Sequence, residues 1–543
     1  MPRRLSVLTL ALLVSMGAAA QAVADTTSVN DPRDEIGLHD ILTLTVDNTG
    51  DKVGATVAHR GSRWGGRVRL EFDVAGGPAA EFVAVIRHTR PLQNVFTRSD
   101  GSRWKCGSRT ATSWPGSSKT LLTAGRKCLA MAPRMRVRAF AISPGRTTDR
   151  ASSDVVLQQT RPNVVMIMVD DMRADDIRYM PWTRRLIGNQ GVTFRNSFSP
   201  YPLCCPARAS VLVGQYTHNH RVFHVYAPYG FPSFDDSSTV ATWLRRSGYS
   251  TVYLGKYLNG YGWMPEPGET SGKSIYYVPP GWTEWRASID GGLPAGHPKR
   301  GNTYEYFDTT LSRNGKAFDN YAGRYQSRVY GGLSEQIIRA RVASDKPFFF
   351  YASYTAPHNG GPIEPDDPGM LTRSDGVEYR MGSPARPNDV KGLFDTRITA
   401  APGADWADPD FSDKPAYLAA PPTTAAERRA MLNLTRQRVE ALSVVDQQVR
   451  RTVAALAASG ELEETLVILT SDNGYFLGEQ RMRQGKIFPH EPSLRVPLLM
   501  RGPGIPAGEV RYDPYMSMDF APTVADFAGV QPAGSVDGVS MLG

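Results

Sequence analysis

The stretch Val164-Val165-Met166-Ile167-Met168-Val169-Asp170-Asp171 sets six consecutive apolar residues directly before two carboxylates. An uninterrupted apolar run of this length predicts a strand buried on both faces of a parallel sheet, because a half-exposed strand would alternate. Comparable runs occupy Ser250 to Leu254, Pro347 to Tyr354, Leu466 to Thr470 and Val496 to Met500. Between them lie segments with helical spacing, at Thr239 to Arg246, Leu333 to Val342 and Ala425 to Ala458. In the last, Leu442, Val445, Val449, Val453 and Leu456 share one face. Apolar strands alternating with amphipathic helices predict an α/β domain over 159–543. In open sheets of this class ligands gather beyond the carboxyl ends of the strands, so the residues that follow each run are where chemistry is expected.

Toward the N-terminus the pattern changes. Over 25–158 short alternations, Leu42, Leu44, Val46 and then Val68, Leu70, Phe72, Val74, are separated by turn clusters such as Ala75-Gly76-Gly77-Pro78 and Ser143-Pro144-Gly145. Period-two alternation predicts a small all-β, sandwich-like accessory domain. Cys106 and Cys128 flank a Gly/Ser/Arg-rich stretch and are expected to close it with a disulfide in an oxidising compartment. Its role is open between carbohydrate binding and a spacer. Residues 1–24 read as a signal peptide: a basic start at Met1 to Arg4, an apolar run from Leu5 to Val14 and the small-residue site Ala22-Val23-Ala24. The expectation is a secreted or otherwise extracytoplasmic protein with no stable membrane anchor. Arg3-Arg4 leaves a twin-arginine export signal open.

The chain of 543 residues carries a net charge of +9 from arginines spread along its length. Such a charge would draw in polyanions such as sulfated polysaccharides, or it is a compositional bias. No compact basic run or nucleic-acid motif accompanies it, so nucleic acid is not expected as a partner.

Three elements carry chemistry. The first strand runs into Asp170-Asp171, and Leu466 to Thr470 runs into Ser471-Asp472-Asn473-Gly474. Side-chain oxygens of Asp and Asn suit calcium or magnesium, whereas zinc would call for His or Cys. Each pair alone also suits a turn or a helix cap; both together at strand ends point to a metal. The third element is Cys204-Cys205-Pro206-Ala207-Arg208, continued by Ala209 to Gly214, which predicts a helix opening with proline in its first turn. A nucleophile at such a helix start meets free amides and the positive end of the dipole, so an anionic ester is welcome there. Neither a thioredoxin pair nor a papain-like signature is present.

Here the sequence resembles the type I, formylglycine-dependent sulfatases, whose C-x-P-x-R motif is matched by Cys204, Pro206 and Arg208, with Leu212 and Gly214 downstream. It looks most similar to N-acetylglucosamine-6-sulfatases and extracellular heparan sulfate 6-sulfatases, through Cys204-Cys205-Pro206, Tyr216-Thr217-His218-Asn219-His220, Gly255-Lys256-Tyr257-Leu258-Asn259 and Val496-Pro497-Leu498-Leu499. The resemblance implies an alkaline-phosphatase-like sheet flanked by helices, and conversion of Cys204 to formylglycine by a formylglycine-generating enzyme. It implies one calcium ion held by Asp170, Asp171, Asp472, Asn473 and the modified Cys204. It also implies that Arg208, Lys256 and Lys486 steady the nucleophile and neutralise sulfate, with His358, in Thr355-Ala356-Pro357-His358, as general acid. The implied substrate is a sulfated carbohydrate or an aryl sulfate.

Two departures bear on this. Leu258 and Asn259 stand where many arylsulfatases carry a second histidine, and His218 and His220 are candidates to contact substrate or fill that role. The chain also stops at Gly543, soon after Asp537-Gly538-Val539, whereas family members usually continue; the expectation is a catalytic domain without the usual C-terminal subdomain, either because the sequence is a fragment or because that subdomain is lost. Between Tyr261 and Phe307, aromatics including Trp263, Tyr276, Tyr277, Trp282, Trp285, Tyr304 and Tyr306 are expected either to stack on sugars or to pin the loop down. Competing readings are a phosphonate or phosphodiester hydrolase of the same superfamily and an inactive glycan-binding homologue.

Overall fold

The computed structural model describes residues 162–542, except 345, 404–409, 411, 416–417 and 419, and before them ten strands between positions 25 and 156. The expected signal peptide (1–24), Cys106 and Cys128 lie outside the described residues. The chain divides into two compact units, Met1–Thr160 and Arg161–Gly543.

In the first unit two five-stranded antiparallel sheets form. One is ordered Asp25–Asn30, Ile41–Thr49, Lys52–His59, Lys119–Gly125, Arg109–Ser113; the other Thr148–Val156, Arg134–Ile142, Arg67–Asp73, Phe82–Arg87, Gln93–Arg98. Alternate residues, Leu44 and Val46, Val68, Leu70 and Phe72, Val137 and Ala139, are buried, as a sheet with one inward face requires.

The second unit is built on one ten-stranded mixed sheet. Its order is Ala317–Asn320, Thr310–Arg313, Glu284–Ser288, Ser250–Lys256, Phe348–Ser353, Asn163–Val169, Thr465–Ser471, Leu498–Arg501, Val192–Phe198, Glu509–Met516. The five strands from Glu284–Ser288 to Thr465–Ser471 run parallel. Because side chains alternate across a strand, the quoted run feeds two cores. Val164, Met166 and Met168 pack with Leu212, Trp243 and Val524 on one face. Val165, Ile167 and Val169 pack with Leu333, Ile337, Val445, Val449 and Val453 on the other. Helices Cys204–Val213, Val240–Arg246 and Phe520–Phe527 thus cover one face, and Gln326–Val342 and Ala425–Ser459 the other.

The long helix has sharp ends. The Thr424 side chain accepts from Glu427 N at 3.2 Å while Glu427 accepts from Thr424 N at 2.7 Å, a reciprocal cap, and Gly460 closes the helix at φ 78°. The helix expected from Leu333 begins seven residues earlier, at Gln326. Its Gly331 and Gly332 weaken the sequence signal, yet a Cβ at Gly331 would lie 2.1 Å from Gln448 Oε1, so glycine there lets the two helices approach.

Candidate active site

The carboxyl edge of the parallel strands gathers the polar residues. Asp170 and Asp171 follow Asn163–Val169, Asp472 and Asn473 follow Thr465–Ser471, Lys256 ends Ser250–Lys256, and His358 lies in the loop after Phe348–Ser353. Cys204 opens its helix beside them, and its sulfur lies 3.5 Å from Asp170 Oδ1 and 4.0 Å from Asp171 Oδ1. Lys486 reaches in from a loop, with Nζ 2.7 Å from Cys204 Sγ and paired to Asp171. Lys256 pairs with Asp170, while Arg208 Nε donates to Asp472 Oδ2 at 2.8 Å and Arg208 Nη1 to Ser353 Oγ at 2.7 Å. His358 Nε2 is 3.8 Å from Asp171 Oδ2; its Nδ1 lies 2.7 Å from the Asn359 carbonyl, a contact that makes Nδ1 the protonated nitrogen of the neutral ring. Nine of the expected residues therefore meet at one place: Asp170, Asp171, Cys204, Arg208, Lys256, His358, Asp472, Asn473 and Lys486.

Burial makes these charges interact strongly. It opposes ionisation of Asp170, but Lys256, His358 and Arg208 outweigh it and hold the carboxyl at about 2. Asp171 is lowered in the same way, against burial, by Lys486 and His358. Burial, then Asp170, push the Cys204 thiol far up despite Lys256 and Lys486, and burial lowers His358. Asp171 sits at φ 63°, a conformation that a non-glycine residue holds only where its surroundings enforce it. Its N–H donates to Asp472 Oδ1 at 3.1 Å, and its carbonyl accepts from Arg438.

A cation is the ligand this donor set would take. Asp170, Asp171, Cys204 and His358 each offer an atom within 4.8 Å of the others. Asp171 Oδ2 and Asn473 Oδ1 are buried and have no hydrogen-bond partner among the described residues. Buried acceptors are rarely left so. Both Asp472 oxygens are engaged, by Arg208 and by the Asp171 and Asn473 amides.

Residues 162–530, which contain every one of these side chains, match the family model described as Sulfatase. The chain belongs to the sulfatase family. It is 32% identical over 396 residues to an extracellular sulfatase SULF-1 homologue of Drosophila melanogaster, covering 71% of this chain and 31% of that protein. It is 31% identical over 398 residues to the N-acetylglucosamine-6-sulfatase of Capra hircus, covering 70% and 63%. The chain thus spans between about a third and two thirds of the length of these relatives. In fold it is similar to the solved YidJ protein of Bacteroides fragilis, with TM-score 0.53 and 19% identity, covering 72% of this chain and 78% of that one. The likeness is to the alkaline-phosphatase-like sheet of sulfatases.

The two histidines after the sulfatase cysteine helix do not join the cluster. His220 is buried; its Nδ1 accepts from Val222 N at 3.1 Å and its Nε2 lies 2.9 Å from Ser210 Oγ. Both nitrogens are engaged within the chain, and the contacts tie a short helix to the cysteine helix. Burial lowers its pKa to about 4. His218 is exposed and stacks on Tyr216 with centroids 5.5 Å apart.

The aromatic loop mostly packs. Trp285 and Tyr306 are fully buried and Trp282 stacks on Phe349, leaving Trp263 and Tyr276 largely exposed. Tyr304 is the exception in kind, since its ring stands 5.1 Å from Lys256 Nζ and 5.0 Å from the His358 ring.

Sequence reasoning missed Arg438. It projects from the middle of the long helix, buried over the Tyr475 ring at 4.0 Å, and donates to the Asp171 carbonyl and, at 3.3 Å, to the Pro357 carbonyl. It thereby ties together the loops that carry Asp171 and His358. A basic residue inside an otherwise apolar helix face, at position 438 between Leu434 and Leu442, was the available signal.

Proposed function

We propose that the chain hydrolyses the sulfate ester of a sulfated sugar of the N-acetylglucosamine-6-sulfate type, or an aryl sulfate, as a secreted enzyme. In this reading Cys204 is converted to formylglycine by a formylglycine-generating enzyme, and one calcium ion is bound. The observation that carries the reading is the meeting of Cys204 with three cations and two orphaned oxygens at one strand edge. The relatives' names, an extracellular sulfatase and an N-acetylglucosamine-6-sulfatase, support the substrate class and the location. Among the described residues no helix is long and apolar enough to cross a membrane.

Asp170, Asp171, Asp472 and Asn473 would hold the ion, since the orphaned Asp171 Oδ2 and Asn473 Oδ1 are hard oxygen donors of the kind calcium takes. When bound, calcium would make the nucleophile easier to ionise and draw on a sulfate oxygen. The sulfur of Cys204 stands for the position of the formylglycine oxygens, which supply a hydroxyl nucleophile in place of the thiol. Asp170, Asp171 and Asp472 already face Arg208, Lys256 and Lys486, charge for charge. A divalent cation then leaves a positive surplus that an anionic ester and an ionised nucleophile neutralise. Lys486, 2.7 Å from Cys204 Sγ, steadies the nucleophile, and Lys256 and Arg208 face the sulfuryl oxygens. His358, whose Nδ1–H is held by Asn359 O, presents Nε2 as the basic nitrogen; an arriving anion favours its protonation from solvent, and the imidazolium then gives that proton to the leaving alkoxide.

The test is turnover of glucosamine-6-sulfate, para-nitrophenyl sulfate and a phosphodiester by protein whose Cys204 is converted. Calcium-dependent sulfate release is expected. Preference for the phosphodiester, or glycan binding without sulfate release, would overturn the reading.

A further inference from the structure

The side chain of Asn259, three residues beyond Lys256, donates from Nδ2 to Tyr304 OH at 2.7 Å, and its Oδ1 is buried with no partner among the described residues. Tyr304 in turn lies against Lys256 and His358, with its ring centroid 5.1 Å from Nζ and 5.0 Å from the imidazole. The pair therefore borders the two groups that act on the ester and its leaving oxygen. It is firmly held: Tyr304 N donates to Asn302 Oδ1 at 2.7 Å, its carbonyl accepts from Gly361 N at 2.8 Å, and Gly260 N donates to Asp290 Oδ2 at 2.7 Å.

One hydrogen bond joins the two side chains, and each retains unused capacity. With Nδ2 donating to the phenol oxygen, the phenol proton remains to donate and Asn259 Oδ1 remains to accept. With the amide reversed, the NH2 remains to donate and a phenol lone pair to accept. In both orientations a donor and an acceptor stand side by side. A buried acceptor left unmade costs about 1–3 kcal/mol, so a ligand group that satisfies it is bound with corresponding preference. The group that matches is one that donates and accepts at once. Sulfate and phosphate oxygens only accept, and an aryl ring does neither; an alcohol does both.

We propose that Asn259 and Tyr304 form a specificity site that takes a hydroxyl group of the sugar bearing the sulfate ester. The assignment rests on the sulfatase reading above and adds to it the contact by which a sugar sulfate is told from an aryl sulfate. Polar groups arranged for a substrate hydroxyl reject analogues that lack it far more strongly than an apolar pocket rejects a change of shape.

The experiment measures kcat/KM of the full chain on glucosamine-6-sulfate and on para-nitrophenyl sulfate for the unchanged protein, Asn259→Ala and Tyr304→Phe. Tyr304→Phe keeps the ring beside Lys256 and His358 and so guards against a variant that fails to fold. Each substitution is expected to lower the sugar-to-aryl ratio of kcat/KM by about 10- to 100-fold. An unchanged ratio in both variants, whether activity falls on both substrates or on neither, overturns the proposal while leaving the sulfatase reading intact. Unchanged protein that releases sulfate from neither substrate overturns that reading and the proposal with it.

Discussion

Among the described residues two carboxylate clusters of the second unit offer three or more ligand atoms within 4.8 Å of one another, the group around Asp170, Asp171 and Cys204 and the turn Glu364, Asp366 and Asp367. Both face cations, yet they end differently. In the turn, Arg386 is fully buried and places Nη1 3.0 Å from Glu364, Nη2 on Asp366 and Nε 2.9 Å from Glu440, while Lys391 lies 2.8 Å from Glu364. A guanidinium already occupies the centre that a metal would take. At the strand edge the lysines and Arg208 engage some oxygens but leave Asp171 Oδ2 and Asn473 Oδ1 buried and without a hydrogen bond among the described residues, next to Cys204. Carboxylate density does not distinguish a structural charge box from a metal centre; the oxygens left over after internal pairing do.

Removing the cation at the centre of the turn should have the largest effect on stability. Arg386→Met is expected to destabilise the fold by about 3–5 kcal/mol, because it strands the buried Glu440 and the nearly buried Glu364, as read from denaturant midpoints. The strand edge should respond to metal instead. Calcium at a hundredfold excess over its Kd should stabilise the unchanged chain by about 2.7 kcal/mol. Asp171→Asn should remove that response in thermal melts, and Asp366→Asn should keep it; loss in the Asp366 variant would erase the contrast. Arg438→Met should lower kcat about 100-fold with a smaller change in KM, since it frees the Asp171 and Pro357 carbonyls and misplaces two site loops.

The smallest expected effect separates acid sensitivity from both clusters. His220 has its pKa lowered from 6.5 to about 4, so the folded state takes up its proton less readily than the unfolded chain. That stability is intact above about pH 6.5 and is lost as pH falls toward 4, amounting to about 2 kcal/mol by about pH 5. Asp537 and His218 are the charged groups that act on it. His220→Gln should flatten this limb of the melting-temperature profile; an unaltered limb would assign it to other groups.

How much of this the sequence disclosed depended on whether the signal was local. The central strands were legible because burial on both faces writes an unbroken apolar run, as in Val164 to Val169. The edge strand Glu509–Met516 is mostly exposed, contains Pro514 and reads as a loop. Asp170, Asp171, Asp472 and Asn473 announced themselves by following strands. Lys256, Lys486 and His358 were reached only through the family resemblance, since a lone lysine or histidine carries no periodic mark. Arg438 came from neither source, and Tyr304 stood only as one of many loop aromatics: they act through a carbonyl, a ring face and an amide supplied by distant segments. The contact of His220 with Ser210 was not legible, because spacing from Cys204 says nothing about which side chain faces it.

The central claim is that the nucleophile of this site is not a thiol. Mass spectrometry of the peptide containing Cys204, from protein made in its native source, tests it most directly. The account predicts the mass of formylglycine at position 204, with Cys205 unmodified in the core. An intact thiol at Cys204 in protein that nonetheless releases sulfate would contradict it.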